Sequence, residues 1–242
     1  MNGVAFLQNL FRENFFFREL FYEPLLNGLV WLYNTVALQD LGLAIILLTV
    51  LVRLIIYPLF HQAIRHQRLV QELRPELLKI KDKHKANREA QTKATLELFK
   101  RHKLNPLAPF LSLLVQMPVF LALYVIFISD FTQTIEPWLY SFTPHPGELN
   151  QTFFNLIDLK QASPVLAVLA ALSQYFQGRL ALTAASTPPM KIMMVYALPA
   201  IIFVALFKFP AAIGLYWLTT TVFSIIQQII VNRASPTSLA KG

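Results

Sequence analysis

Residues 41–60, LGLAIILLTVLVRLIIYPLF, decide the fold. At 1.5 Å per residue the run reaches roughly 30 Å, the thickness of a bilayer's hydrocarbon core. Apart from Arg53 it reads as a plain lipid-crossing helix. Arg53 falls about 4 Å from the middle of the span, toward its C-terminal end. A guanidinium stays charged at any physiological pH, so it cannot avoid burial by losing its proton. Insertion scales put its cost near a helix centre at about 2.5–3.5 kcal/mol. That cost is tolerable where the charge faces protein or water instead of lipid, which makes Arg53 the leading functional candidate.

Composition agrees. Of 242 residues, 55% are hydrophobic and 14% charged, against about 25% charged in an ordinary soluble domain. The apolar residues come in long runs, as expected of one polytopic α-helical membrane domain. Seven glycines and 15 prolines suit helices punctuated by proline at ends and kinks. The chain has no cysteine, which excludes disulfides, a thiolate nucleophile and Cys-based metal sites.

The runs define an all-α integral membrane protein with five spans: 41–60, 107–128, 164–177 (running on through Arg179), 192–207 and 211–231. Pro58 closes the first, Asn105-Pro106 opens the second, and Ser163-Pro164 caps the third. Pro199 breaks the fourth, and 208–210 is a tight reversal into the fifth. Residues 1–40 form an extracytoplasmic segment without the cationic start or cleavage site of a signal peptide. Its 20–38 stretch puts Glu23, Asn27 and Asn34 on one face, which predicts an amphipathic helix lying in the interface; a sixth spanning helix is the alternative. Residues 61–106 carry 12 Lys and Arg against 5 acidic residues. Leu69 or Val70, Leu73, Leu77 and Ile80, then Ala86, Ala90, Ala94 and Leu98, recur at helical steps, predicting an antiparallel helical hairpin in water. Pro75 marks or kinks its first arm, and Asn87 is the N-cap of its second. Residues 232–242 read as a short unstructured tail.

Charge then sets orientation. The segments 61–106, 179–191 and 232–242 hold 12, 2 and 2 of the 21 Lys and Arg, whereas 1–40, 129–163 and 208–210 hold 2, 1 and 1. Positive-inside orientation places the hairpin and the C-terminus in the cytoplasm and the N-terminus outside. The net charge of +8 is therefore a topological signal first. As a partner surface, the basic hairpin suits headgroups, or ribosomal RNA through counterion release.

No span holds a histidine or a carboxylate; His61, His66, His84 and His102 lie in the hairpin or its approach and His145 in the outer loop. Acid–base and metal hydrolysis therefore lack their machinery, and neither enzyme activity nor a cofactor is expected. A charge together with Gln116, Gln174, Thr219, Thr220, Thr221 and Ser224 on several spans calls for a shared hydrated cavity, since none could face lipid singly at low cost. A small-solute or ion transporter would also need such a cavity, but the two halves show no obvious repeat and no membrane carboxylate for ion coupling.

Four strings resemble the YidC family of membrane protein insertases: TVLVRLIIYPL (49–59), Asn105-Pro106-Leu107 after the charged hairpin, LLVQMPVFLALY (113–124) and GLYWLTTTVFSIIQQ (214–228). Their order, spacing and topology cover about residues 20–231. The resemblance implies a five-helix core, 41–231, around a polar groove closed on the outer side and open to cytoplasm and lipid. It makes Arg53 the groove arginine and Thr49 its neighbour one turn earlier. Gln174 and Trp217 become groove contacts, and Gln116, Tyr216 and Thr220 complete the set. Ala108-Pro109 stands where the family commonly has Gly-Gly, and Thr220-Thr221 where it has Ser-Asn. A large outer domain, an extra leading helix and a long basic tail, found in some relatives, are not expected. The implied location is a bacterial inner (plasma) membrane. The implied partners are nascent membrane proteins and lipids, a ribosome or targeting factor at the hairpin, and a larger translocon.

Overall fold

The computed structural model describes residues 14–85, 87–102, 104, 108–128, 135–147, 149–181 and 191–234. The expected helix start at 105–107, the loop at 182–190 and the tail beyond 234 lie outside the described residues. A helical turn (Phe15–Phe17) and a π-helical turn (Arg18–Tyr22) lead into α1 (Glu23–Thr35). Then follow α2 (Leu41–Ile55), α3 (Tyr57–Glu72), α4 (Arg74–Lys83), α5 (Arg88–Arg101) and α6 (Ala108–Ile128). A two-stranded ribbon, β1 (Thr152–Phe153) with antiparallel β2 (Ile157–Asp158), precedes α7 (Pro164–Ala181), α8 (Leu198–Leu206) and α9 (Ala211–Ala234). Among the described residues, this ribbon is the only regular structure that is not helical.

α9 is the central helix. α2, α3, α6 and α7 lie against it, and α8 lies against α7. Gly178 makes the α7 contact close: a Cβ there would stand 2.3 Å from the Met194 carbonyl oxygen. The outward faces are apolar, with Leu54 and Ile55 of α2, Leu172 and Phe176 of α7 and Ile201 and Val204 of α8 all at least half exposed. The interior holds Arg53, Gln174, Thr221, Ser224 and Gln227. Polar inside and greasy outside is the arrangement of a protein solvated by lipid.

Proline explains where helices change pitch. Pro24 and Pro199 each follow a π-helical turn, Arg18–Tyr22 and Met193–Ala197, whose closing bonds run from Glu23 N–H to Arg18 O and from Leu198 N–H to Met193 O. Widening the turn absorbs the donor that proline lacks, so the expected break at Pro199 is a π-turn within a continuing helix. Pro58 acts differently from expectation as well. The break comes at Ile56 (φ −90°, ψ 5°), and the chain resumes as α3 instead of closing. Among the described residues, one helix, Ala211–Val231, is by itself long and apolar enough to cross a membrane; Leu41–Ile55, Gln116–Ile128 and Met193–Leu206 are apolar but shorter.

α4 and α5 pack on each other through Leu73, Leu98 and Leu104, with Val70, Leu77, Ile80 and Phe99 around them. Pro75 lies in the first turn of α4, and Asn87 caps α5 by accepting from Ala90 N–H at 3.0 Å.

The polar stripe of α1, expected as one face of an interfacial helix, meets the loop between α6 and α7. Asn27 is 3% exposed and donates to Glu23 O and Trp138 O, both at 2.8 Å, while accepting from Tyr140 N–H at 2.7 Å. Asn34 donates to Pro144 O, and the Tyr33 hydroxyl accepts from Asn150 N–H, each at 2.9 Å. Buried amides satisfy backbone groups that a loop leaves open, so the stripe latches the loop between α6 and α7 onto α1. That loop in turn accepts from the first N–H groups of α9: Gln161 O from Ala211 at 2.7 Å and Leu159 O from Ala212 at 3.1 Å. One end of the bundle is thereby closed.

Candidate functional site

Tyr216, Thr220 and Ser224 recur every four residues on α9 and so share one face. Arg53 of α2 meets that face, only 3% exposed. Its Nη2 donates to Thr220 O at 2.9 Å and to the Ser224 hydroxyl. The guanidinium lies over the Phe60 ring at 4.3 Å, with the Phe223 ring 5.7 Å away. Each such contact is worth about 0.5–2 kcal/mol depending on desolvation, less than the cost of taking the charge out of water. Among the described residues no ion pair involves Arg53. Its Nε and Nη1 are buried without a hydrogen-bond partner.

Gln116 of α6 bonds the Tyr216 hydroxyl through Nε2. Phe120, one turn along, packs on both Tyr216 and Trp217. Trp217 Nε1 donates to Gln174 Oε1 at 3.3 Å, and Gln174 Nε2 donates to Gln177 Oε1 at 3.1 Å. Two polar clusters thus meet on consecutive residues of α9. One joins Arg53, Gln116, Tyr216, Thr220 and Ser224; the other joins Gln174, Gln177 and Trp217. Among the described residues, Gln116 Oε1 joins Arg53 Nε and Nη1 as a buried polar atom without a hydrogen-bond partner. An interior left short of partners in this way favours whatever polar group can reach it.

The expected residues divide accordingly. Arg53, Gln116, Tyr216 and Thr220 come together, and Gln174 pairs with Trp217. Thr49 is buried, but its hydroxyl is spent on Ile45 O of its own helix at 2.6 Å. Thr219 and Thr221 likewise bond Leu215 O and Trp217 O, each at 2.8 Å. Phe60, Phe223 and Gln227 are structural additions to the set, and Ser224, one of the polar residues named for the shared cavity, joins the Arg53 cluster. Ser224 was legible as the next step of the Tyr216–Thr220 line. Gln227, 2% exposed, donates to Tyr57 O at 3.3 Å across the α2–α3 break, a role its sequence position near a helix end conceals.

With this geometry in hand, comparison with known proteins is decisive. The model of the 60Kd inner membrane protein family matches residues 31–238. The chain belongs to this family, the YidC family. Relatives named "Membrane protein insertase YidC" include that of Geobacter sulfurreducens, 32% identical over 221 residues, covering 90% of this chain and 38% of that protein. That of Francisella tularensis subsp. novicida is 33% identical over 205 residues, covering 84% of this chain and 35% of its own length. That of Pelobacter propionicus is 31% identical over 211 residues, covering 87% and 38%. The chain therefore spans little more than a third of these relatives. The family match runs from within α1 through all of α9, so it takes in every residue of both polar clusters.

Proposed function

We propose that the chain is the membrane-embedded core of a protein insertase, receiving hydrophobic segments of newly made proteins in a hydrated, positively charged groove and releasing them sideways into lipid. One observation carries this reading: Arg53 is buried between helices with Nε and Nη1 unspent. The names of the YidC relatives support it.

In this proposal the membrane is crossed five times, by α2 with the start of α3, by α6, by α7, by the π-turn with α8, and by α9. The α4–α5 hairpin and the C-terminus are cytoplasmic, and the latched loop seals the outer side of a bacterial inner membrane. The substrate's short polar tail enters the groove from the cytoplasm. A carboxylate about 4 Å from Arg53 gains on the order of 4 kcal/mol at an effective dielectric near 20. That is comparable to the roughly 2.5–3.5 kcal/mol that an Asp costs at a membrane helix centre. The groove thus offsets the penalty of drawing an acidic tail inward. Both of the arginine's bonds run from Nη2, so the groove is offered charge more than a shaped fork, and lysine serves in its place.

The hydrophobic segment meanwhile slides along the apolar outer faces into the bilayer. Its own partitioning drives the process, about 0.8 kcal/mol for each CH₂ removed from water, so no nucleotide is required. The basic hairpin catches the incoming chain or docks the ribosome or targeting factor that delivers it, and a larger translocon is a candidate neighbour.

The test is reconstitution. Proteoliposomes holding the chain should integrate a small single-span substrate with an acidic outward tail, where protein-free liposomes do not. They should remain tight to ions and small solutes in the absence of substrate. Solute flux without a polypeptide client would overturn the insertase reading in favour of a transporter.

A further inference from the structure

Two turns at the outer end of α2 carry bulky apolar residues in left-handed backbone. Leu38 (φ 53°) and Gln39 (φ 60°) form one, and Phe154 (φ 50°) and Asn155 (φ 56°) the other. That region disfavours any side chain with a Cβ, and large ones most, so the fold sustains a conformational cost at both places. Asp40 ties the turns together: one carboxylate oxygen accepts from Leu43 N–H at 2.8 Å and the other from Phe154 N–H at 2.5 Å. The result is a shared apolar tip. Leu38 is 88% exposed, Leu156 85%, Phe154 60% and Val36 52%. Trp31, 47% exposed on α1, is a further exposed aromatic one turn before the end of that helix.

Several polar groups of this tip are satisfied from within. Asn155 Oδ1 accepts from Asn150 Nδ2 and from the Thr152 hydroxyl, both at 3.1 Å, so its amide turns back into the ribbon. Leu156 N–H donates to Phe153 O, and Gln39 N–H to Tyr33 O. The nearest exposed charges on the ribbon, Asp158 and Lys160, stand at its base, where Asp158 accepts from Lys160 N–H and from Gln161 Nε2, both at 2.8 Å. An exposed apolar surface whose neighbouring carboxylate, Asp40, is held by two backbone N–H groups, and whose turns are bonded internally, has the chemistry of a segment that enters a bilayer interface. Its level matches, because Leu38 stands three residues before α2.

We propose that Leu38, Phe154 and Leu156 form a lipid-binding tip that dips into the outer leaflet's interfacial region and fixes the depth of the outer seal. This rests on α2 crossing the membrane as described above, and the occupant is lipid.

The natural absence of cysteine allows a clean test. Leu38→Cys, Phe154→Cys and Leu156→Cys are made singly in the full chain, spin-labelled and reconstituted in phosphatidylethanolamine–phosphatidylglycerol vesicles. Ile201→Cys on the exposed face of α8 and Lys81→Cys on α4 are the lipid and water references. Collisions with oxygen should exceed those with a water-soluble nickel chelate several-fold at 38, 154, 156 and 201, with the reverse at 81. Water-like values at all three tip positions with a lipid-like 201 would overturn the tip alone. A water-like 201 would overturn the membrane reading and the tip with it. Shielding of the tip labels from both reagents would overturn lipid as the occupant in favour of a protein neighbour.

Discussion

Replacing Asn27 with leucine is the sharpest probe of how the loop between α6 and α7 is held onto α1. Leucine keeps the branched four-heavy-atom outline of asparagine and is somewhat bulkier, so the change removes hydrogen bonds without opening a void. Trp138 O then loses its donor at 2.8 Å and Tyr140 N–H its acceptor at 2.7 Å. Glu23 O keeps its place in the helix and loses only a second bond. A buried polar group left unsatisfied costs about 1–3 kcal/mol, so two give roughly 2–6. Tyr140 and Trp138 are only half-buried, and water can reach part of the damage, which favours the lower end, about 2–3 kcal/mol. Hydrogen exchange on the protein in lipid nanodiscs reads this directly. Local opening at Tyr140 N–H should rise roughly 30- to 150-fold, since each 1.36 kcal/mol is a factor of ten. Amides in the middle of α9 should be unchanged. Unaltered exchange at Tyr140 would refute the latch and return the polar stripe of α1 to the polar face of an interfacial helix.

Other perturbations separate packing from function. Gly178→Leu pushes a side chain into the Met194 carbonyl, 2.3 Å from where its Cβ must go, and should cost about 1–3 kcal/mol or more, seen as a lower Tm in detergent. Thr49→Val removes a hydroxyl bonded only to Ile45 O; stability should move by less than about 1.5 kcal/mol and insertion should stay at the wild-type rate, whereas a large loss of insertion would show that the hydroxyl meets substrate. Gln227→Leu severs the link to Tyr57 O and should cost about 1 kcal/mol, with exchange rising around the Ile56 break and not in α7. If the hairpin docks an anionic partner, binding should weaken steeply between 50 and 200 mM salt, as roughly 10³ or more for six phosphate contacts, measured by co-sedimentation with ribosomes.

Much of this architecture was legible because its causes are local. Apolar runs of membrane length, a charge in one of them and proline or asparagine at helix starts are each read within a few residues. Asn87 capping α5 and the Leu73–Leu77–Ile80 stripe meeting Leu98 follow from such signals. Pairings between distant segments were not. Nothing near Asn27 names Trp138 and Tyr140 as its partners, 111 and 113 residues away, so a buried latch read as the polar face of an interfacial helix. The π-turns before Pro24 and Pro199 escaped for a related reason: proline announces a missing donor but not how the preceding turn absorbs it. At the candidate site the polar residues, Gln174 among them, could be named from type and periodicity, and the family resemblance added Trp217. Their division into two clusters depends on how α6 and α7 pack on α9. So does the aromatic clamp of Phe60 and Phe223 on Arg53, which lies seven residues from one ring and on another helix from the other.

The central claim is that the buried positive charge captures the acidic tail of a substrate. Its direct test is insertion of a single-span client with an acidic outward tail into proteoliposomes containing wild type, Arg53→Lys, Arg53→Ala or Arg53→Glu, each first shown to be folded. Activity kept by lysine, reduced by alanine and nearly lost with glutamate is the expected order. Equal insertion by all four would contradict the claim and leave Arg53 a structural bridge to Thr220 and Ser224.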